Sequence, residues 1–261
     1  MDMHLTAKIA VVTGASKGIG LAISQAFVEA GAHVIAGARH HSPELKELES
    51  AGSVTFVAAD LATPEGPRAL IAAAAERGGL DVLVNNAGAV ATRFDGILSV
   101  TDEEWDAAIS LNFLAAVRTT REALPHMLAR GGGSIVNIGS VNATLPEWNI
   151  VDYSATKAAL ANYAKSLSKE FGPKGIRVNT ISPGPVSTDL WLAADGVAAK
   201  FASASGATPD DVVAAVSAGA PTGRFTTPQE VADLTVFLAS DRSGNTTGSD
   251  VRIDGGYVTT V

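Results

Sequence analysis

The feature that most restricts this chain is an alternation repeated from end to end: a short, β-branched apolar run, then a longer Ala-rich amphipathic stretch. Lys8–Thr13, His33–Ala38, Val54–Ala58, Val82–Asn85, Ser134–Ile138, Arg177–Ile181 and Asp250–Ile253 have strand character. Gly18–Ala30, Pro43–Ala51, Pro64–Arg77, Asp102–Ala129, Asp152–Phe171 and Pro228–Ala239 have helical character. Runs such as Ile9-Ala10-Val11-Val12 are apolar at consecutive positions, which suits strands covered on both faces. Repeated strand–helix–strand units require right-handed crossovers. The chain therefore predicts a doubly wound α/β fold, with a parallel sheet of about seven strands and helices on both faces. Gly31 stands where a C-cap glycine belongs, and Thr101 with Glu104 has capping-box spacing.

No linker, repeat or charge block divides the chain, so one domain is expected over residues 1–261. Residues 189–227 break the rhythm. They are Ala-, Gly- and Ser-rich, carry Trp191, Phe201 and Phe225, and follow the carboxyl end of a strand, where open α/β sheets bind ligands. One or two short helices forming a substrate lid are expected there.

Composition removes several classes of function. There is no cysteine, which excludes disulfides, thiolate catalysis and cysteine-ligated zinc. A balance of 19 basic against 27 acidic residues, net −8, is a poor match to a nucleic-acid backbone. No uninterrupted apolar run reaches ~18 residues, so no membrane span is expected. Met1–Leu5 lacks a basic segment followed by an apolar core, so no secretion signal is expected and a cytoplasmic location is. The histidines at 4, 33, 40, 41 and 126 lack zinc-site spacing, and no metal is expected.

Thr13-Gly14-Ala15-Ser16-Lys17-Gly18-Ile19-Gly20 follows the first strand and opens the first helix. Glycine permits a tight turn and close approach to a pyrophosphate, and the helix start offers free N–H groups to phosphate oxygens. The spacing is Gly-x-x-x-Gly-x-Gly, which is not that of an ATP-binding P-loop. A dinucleotide is expected. An NAD site places an acid about 20 residues on, at the end of the second strand. Here that stretch reads Ala36-Gly37-Ala38-Arg39-His40, with no carboxylate, and Lys17 lies within the turn. Two cations suit a 2′-phosphate, which favours NADP(H).

Tyr153 and Lys157 are four apart at the start of a helix, so they share one face. Tyrosine ordinarily titrates near ~10. A neighbouring ammonium, together with an oxidised nicotinamide, would favour the phenolate and make a general acid/base usable near neutrality. Tyr163, on the same helix, reads as a packing residue. Ser140 follows the fifth strand, where a hydroxyl could bond a carbonyl. Asn112 sits between Leu111 and Phe113 inside a helix, where a polar amide needs a partner.

Taken together, the Thr13–Gly20 turn, Asp60-Leu61, Asn85-Asn86-Ala87-Gly88, Asn112, Ser140, Tyr153 with Lys157, and Pro183-Gly184 with Thr188 occur in the order found in short-chain dehydrogenases/reductases. The chain resembles that family over its whole length and is similar to its 3-oxoacyl-carrier-protein reductases. The resemblance implies a Rossmann-type sheet and a reversible reduction of a ketone to a secondary alcohol. Tyr153 would exchange the proton, Lys157 would hold the nicotinamide ribose and Ser140 would orient the carbonyl. Asn112 would bind a relay water. Gly14, Ser16, Lys17, Gly18, Ile19 and Gly20 would cradle the pyrophosphate, with Arg39 marking the NADP-preferring branch. Asp60 and Leu61 would touch adenine, and Asn86, Ala87 and Gly88 would line the adenosine ribose. Pro183, Gly184, Val186 and Thr188 would flank the nicotinamide.

The family's variable segments set substrate choice. Here they supply Asn142, Leu145, Trp148, Trp191 and Leu192, which suggest a largely apolar pocket with an aromatic wall. The resemblance also implies a homodimer or homotetramer built through the 102–129 and 152–171 helices, whose small residues include Ala115, Ala116, Ala158 and Ala159. Two other readings are an NAD-linked secondary-alcohol dehydrogenase and a dinucleotide sensor without turnover. The absence of an acid after the second strand speaks against the first, and the presence of both Tyr153 and Lys157 against the second.

Overall fold

Every run read as a strand pairs into one sheet. In the computed structural model, which describes residues 2–260, β1 (Ile9–Thr13), β2 (His33–Ala38), β3 (Val54–Ala58), β4 (Val82–Asn85), β5 (Gly133–Ile138), β6 (Ile176–Pro183) and β7 (Asp250–Ile253) are all parallel. Their order is β3-β2-β1-β4-β5-β6-β7. Met1, which opens the N-terminal stretch read above, lies outside the described residues. The chain runs outward from β1 to β3 and then crosses back to β4 on the other side of β1. That reversal opens a crevice at the carboxyl ends of β1 and β4.

The two sheet faces are separated by a period of two. Ala10 and Val12 of β1, Val82 and Val84 of β4, and Val136 and Ile138 of β5 face one core. Ile9 and Val11, Leu83, and Ile135 face the other. The first core is closed by α1 (Gly18–Glu29), α2 (Pro43–Ser50) and α10 (Pro228–Ala239), through Ile23, Phe27, Leu45 and Val231. The second is closed by α3 (Glu65–Glu76), α5 (Ala115–Ala129) and α6 (Val151–Phe171), through Leu70, Met127 and Leu167. Each such side chain contributes roughly 1.5–3 kcal/mol on burial. Ala115 and Ala116 turn into the chain's own interior, at 3% and 7% exposure, while Ala158 stays exposed.

Two expectations change. The stretch 102–129 is one rod but not one α-helix: α4 (Asp102–Ile109) passes into a π-helical turn, Ser110–Leu114, before α5 begins. Asn112 lies in that turn, and π-turns gather at functional sites. The segment 189–227 holds three helices rather than one or two: α7 (Asp189–Leu192), α8 (Val197–Ser205) and α9 (Pro209–Ala218). Thr208 and Asp211, at capping-box spacing in the sequence, close a capping box at the start of α9. The two roots of the segment are pinned together, Val186 bridging Thr226 and the Ser187 N–H donating to the Thr226 carbonyl at 2.9 Å. Gly31 has φ +84° and the Thr101–Glu104 capping box forms, both as expected. No helix among the described residues is long and apolar enough to cross a membrane.

Candidate active site

The glycine turn is shaped by backbone crowding. Gly14 has φ +66°, and a Cβ on Gly20 would lie 2.2 Å from the Gly14 carbonyl oxygen, so the turn closes only around glycine. α1 starts at Gly18 with no side chain capping its N–H groups, which leaves them for an anion. This cradle fits the pyrophosphate of a dinucleotide. Lys17 and Arg39 are exposed beside it and make no ion pair among the described residues. Ser16 is half-buried and Ile19 packs on the first core.

The turn is stitched to β4 by Thr13, whose hydroxyl donates to the Val84 carbonyl at 3.2 Å and accepts the N–H groups of Asn86 and Ala87 at 2.8 and 3.0 Å. The Asn86 amide donates to the Thr13 and Gly14 carbonyls at 2.9 and 3.2 Å. Its side chain thus braces the turn rather than standing free along it. Asp60 is exposed and holds the Ala62 N–H at 3.0 Å, while the Leu61 side chain is buried in the second core. Gly184 follows β6, Val186 is buried, and Thr188 lies against Gly18, within 3.3 Å of where a Cβ on that glycine would stand.

The four candidate catalytic side chains converge. Lys157, 4% exposed, donates through Nζ to the Ile138 carbonyl at 2.8 Å, which ties α6 to the end of β5. The same Nζ lies 5.5 Å from the Tyr153 ring centroid. Ser140, two residues past Ile138, stands close enough to act on the Tyr153 phenol. Its hydroxyl also donates to Asn142 Oδ1 and accepts the Asn142 N–H, each at 3.1 Å. Gly88 is the meeting point: a Cβ there would lie 2.8 Å from Asn112 Oδ1 and 3.6 Å from Lys157 Nζ. Asn112 accepts the Ala89 N–H at 2.9 Å and donates to the Ala108 carbonyl at 3.1 Å. Both ends of its amide are engaged, so it braces the loop after β4.

Burial sets the electrostatics. It pushes the Tyr153 phenol above its ordinary value, opposed by the neighbouring Ser140 hydroxyl. It lowers Lys157 to about 8. The depression expected for Tyr153 is therefore not produced by these side chains themselves, because desolvation outweighs the Ser140 hydroxyl. Tyr153 is held as a neutral phenol, the form that donates a proton.

Among the proposed substrate residues, Trp148 is 64% exposed and Leu145 36%, both on the loop after β5. Trp191 packs edge-on against Phe225 at 5.2 Å, at the root of the 189–227 segment. Tyr163 packs edge-on against Phe113 at 5.9 Å. No cluster of three or more His, Asp or Glu able to hold a metal occurs among the described residues.

Sequence reasoning missed two groups. One is Thr13, quoted as part of the turn but given no role. The other is an ion-pair network joining Arg93, Asp152 and Glu104, whose members are too far apart in sequence to signal one another.

A family model described as enoyl-(acyl carrier protein) reductase matches residues 14–258. The 3-oxoacyl-[acyl-carrier-protein] reductase of Escherichia coli is 34% identical over 258 residues, covering 97% of this chain and 98% of that protein. L-sorbose reductase from Gluconobacter frateurii, solved with NADPH and L-sorbose, superposes with a TM-score of 0.91 at 39% identity over 100% of both chains. Aldohexose dehydrogenase from Thermoplasma acidophilum, solved ligand-free, superposes with a TM-score of 0.88 at 30% identity, over 100% of this chain and 98% of that one. Motif order, sheet topology, site convergence and these full-length likenesses agree: the chain belongs to the short-chain dehydrogenase/reductase family and is an oxidoreductase acting on ketone and alcohol groups.

Proposed function

We propose that this protein is an NADPH-dependent reductase that converts a ketone reversibly to a secondary alcohol, with Tyr153 as general acid and base. The observation that carries the reading is the convergence of Tyr153, Ser140, Lys157 and Asn112 at the carboxyl ends of β4 and β5. The bound dinucleotide would supply the hydride that adds to the carbonyl carbon. Tyr153 gives its phenolic proton to the carbonyl oxygen, and the Ser140 hydroxyl, turned from Asn142 Oδ1, donates a hydrogen bond to that oxygen. Lys157, titrating at about 8, holds and releases a proton at Nζ near neutral pH. The glycine turn and the uncapped start of α1 would bind the pyrophosphate.

NADP is favoured over NAD by Arg39 and Lys17, two exposed cations without carboxylate partners among the described residues, and by the lack of an acid after β2. The NADPH complex of the Gluconobacter relative supports the same choice. Residues 189–227 are assigned as the substrate lid of a single domain. The segments leaving β4, β5 and β6 expose Leu98, Trp148 and, on α7, Leu190 and Leu192, apolar side chains suited to a substrate with an apolar body. A cytoplasmic homodimer or homotetramer, joined through the α4–α5 rod and α6, completes the reading.

The test is NADPH oxidation followed by nicotinamide absorbance with acetoacetyl-CoA, cyclohexanone and L-sorbose as ketones. Turnover of one of them supports the reading. NADPH binding with no turnover of any would refute catalysis and favour a sensor.

A further inference from the structure

Arg93 lies on the loop that leaves β4 and ties three segments together. Its Nε and Nη2 donate to Asp152 Oδ2 at 3.2 and 2.7 Å. Its Nη1 pairs with Glu104, and its backbone N–H donates to the Asn149 carbonyl at 2.7 Å. The side chains of Arg93 and Asp152 are only 12% and 2% exposed. Taking such a pair out of water is costly, and breaking it leaves an uncompensated buried charge.

The second oxygen of Asp152 shows what the pair is for. Asp152 Oδ1 accepts the backbone N–H of Tyr153 at 2.9 Å. Tyr153 is in the first turn of α6, where an amide has no acceptor within the helix. Asp152 thus fixes the main chain of the residue that carries the phenol, and Arg93 fixes Asp152 with a two-pronged grip. Glu104, the other partner, sits in the capping box of α4, the helix that runs on into the π-turn bearing Asn112.

We infer that Arg93 is a positioning residue for the reaction at Tyr153: by gripping Asp152 and Glu104 together it sets the starts of α6 and α4 relative to each other and keeps the phenol aimed at Ser140. This rests on the reading of Tyr153 as the proton-transfer group. Arg93 holds the helix start and exchanges no proton, so its loss acts on turnover and not on cofactor binding.

The test uses the full chain with NADPH, acetoacetyl-CoA and L-sorbose. Arg93→Met is expected to lower kcat at least about tenfold, with the Kd for NADPH, read from nicotinamide fluorescence, changed less than about twofold. Arg93→Lys, which keeps the charge but not the fork, recovers part of the loss. Hydrogen exchange gives a readout independent of turnover: the peptide spanning 150–157 exchanges faster in Arg93→Met, while 160–171 keeps its wild-type rate. Should Arg93→Met fail to fold, Arg93→Lys stands in for it, with a smaller drop in kcat and the same local rise in exchange. A folded variant with wild-type kcat and wild-type exchange at 150–157 overturns the inference. If the wild type turns over neither ketone, the reductase reading is what fails, and the exchange comparison alone decides the role of Arg93.

Discussion

Thr13→Val offers the sharpest test of how the glycine turn is held. Valine keeps the shape of a side chain that is 3% exposed and removes only its hydroxyl. Three hydrogen bonds go with it: one to the Val84 carbonyl, and two that satisfy the N–H groups of Asn86 and Ala87. Each buried donor left without an acceptor costs about 1–3 kcal/mol, and both donors sit in a half-buried turn, so the sum falls near ~3 kcal/mol. For a chain of this size, each kcal/mol moves Tm by roughly 2–4 °C, giving a drop of about 6–12 °C. The measurement is a circular-dichroism melt at fixed protein concentration, since self-association would make Tm concentration-dependent. Thr13→Ser is the control: it keeps the hydroxyl and loses one methyl, worth about 1 kcal/mol. NADPH affinity should weaken in the valine variant and hold in the serine one. A valine variant no less stable than the serine variant would refute the stitching role.

Other expectations follow from the same site. Tyr153→Phe should reduce kcat by about 10²–10⁴-fold with NADPH affinity unchanged by fluorescence titration; a modest loss would remove Tyr153 from proton transfer. Arg39→Ala should raise KM for NADPH far more than for NADH, and equal effects would count against a 2′-phosphate contact. Lys157, lowered by burial to about 8 from an ordinary 10.5, makes the unfolded chain bind more protons between those values, so its contribution to stability rises with pH across that window. At pH 7 the folded state bears a desolvated ammonium at a cost of about 3 kcal/mol. Lys157→Met removes that cost but strands the Ile138 carbonyl, about 1–2 kcal/mol. In urea titrations it should therefore be the more stable form at pH 7, with its advantage shrinking toward pH 10. A pH-independent gap would contradict the burial argument.

What the sequence disclosed divides along physical lines. The strands and most helices were legible because burial on both sheet faces writes itself as consecutive apolar residues, as in Ile9–Val12. Tyr153 and Lys157 were legible because helical geometry fixes their separation. Ser140 and Asn112 could be flagged individually, but only the fold brings Asn112 Oδ1 and Lys157 Nζ to the same glycine. The π-turn left only one mark, a polar residue between Leu111 and Phe113, since one wider turn hardly alters the apolar periodicity. Arg93 and Asp152 meet across 59 positions, and no local pattern records such a meeting. The direction of the Tyr153 shift depends on a balance between desolvation and the Ser140 hydroxyl that only coordinates supply.

Arg93 and Phe94 are neighbours, and Phe94 packs edge-on against Phe201 of α8 at 5.1 Å. A lineage that remodels α8 to admit a bulkier molecule would alter that aromatic contact, one residue from the guanidinium bound to Asp152. If residues 189–227 form the substrate lid and Arg93 positions Tyr153, substrate choice and rate are mechanically joined: enzymes selected for a new substrate by changes at Phe94 or Phe201 would also carry altered turnover on the old one, and second-round mutations restoring rate would be expected along the 89–99 loop rather than in the pocket.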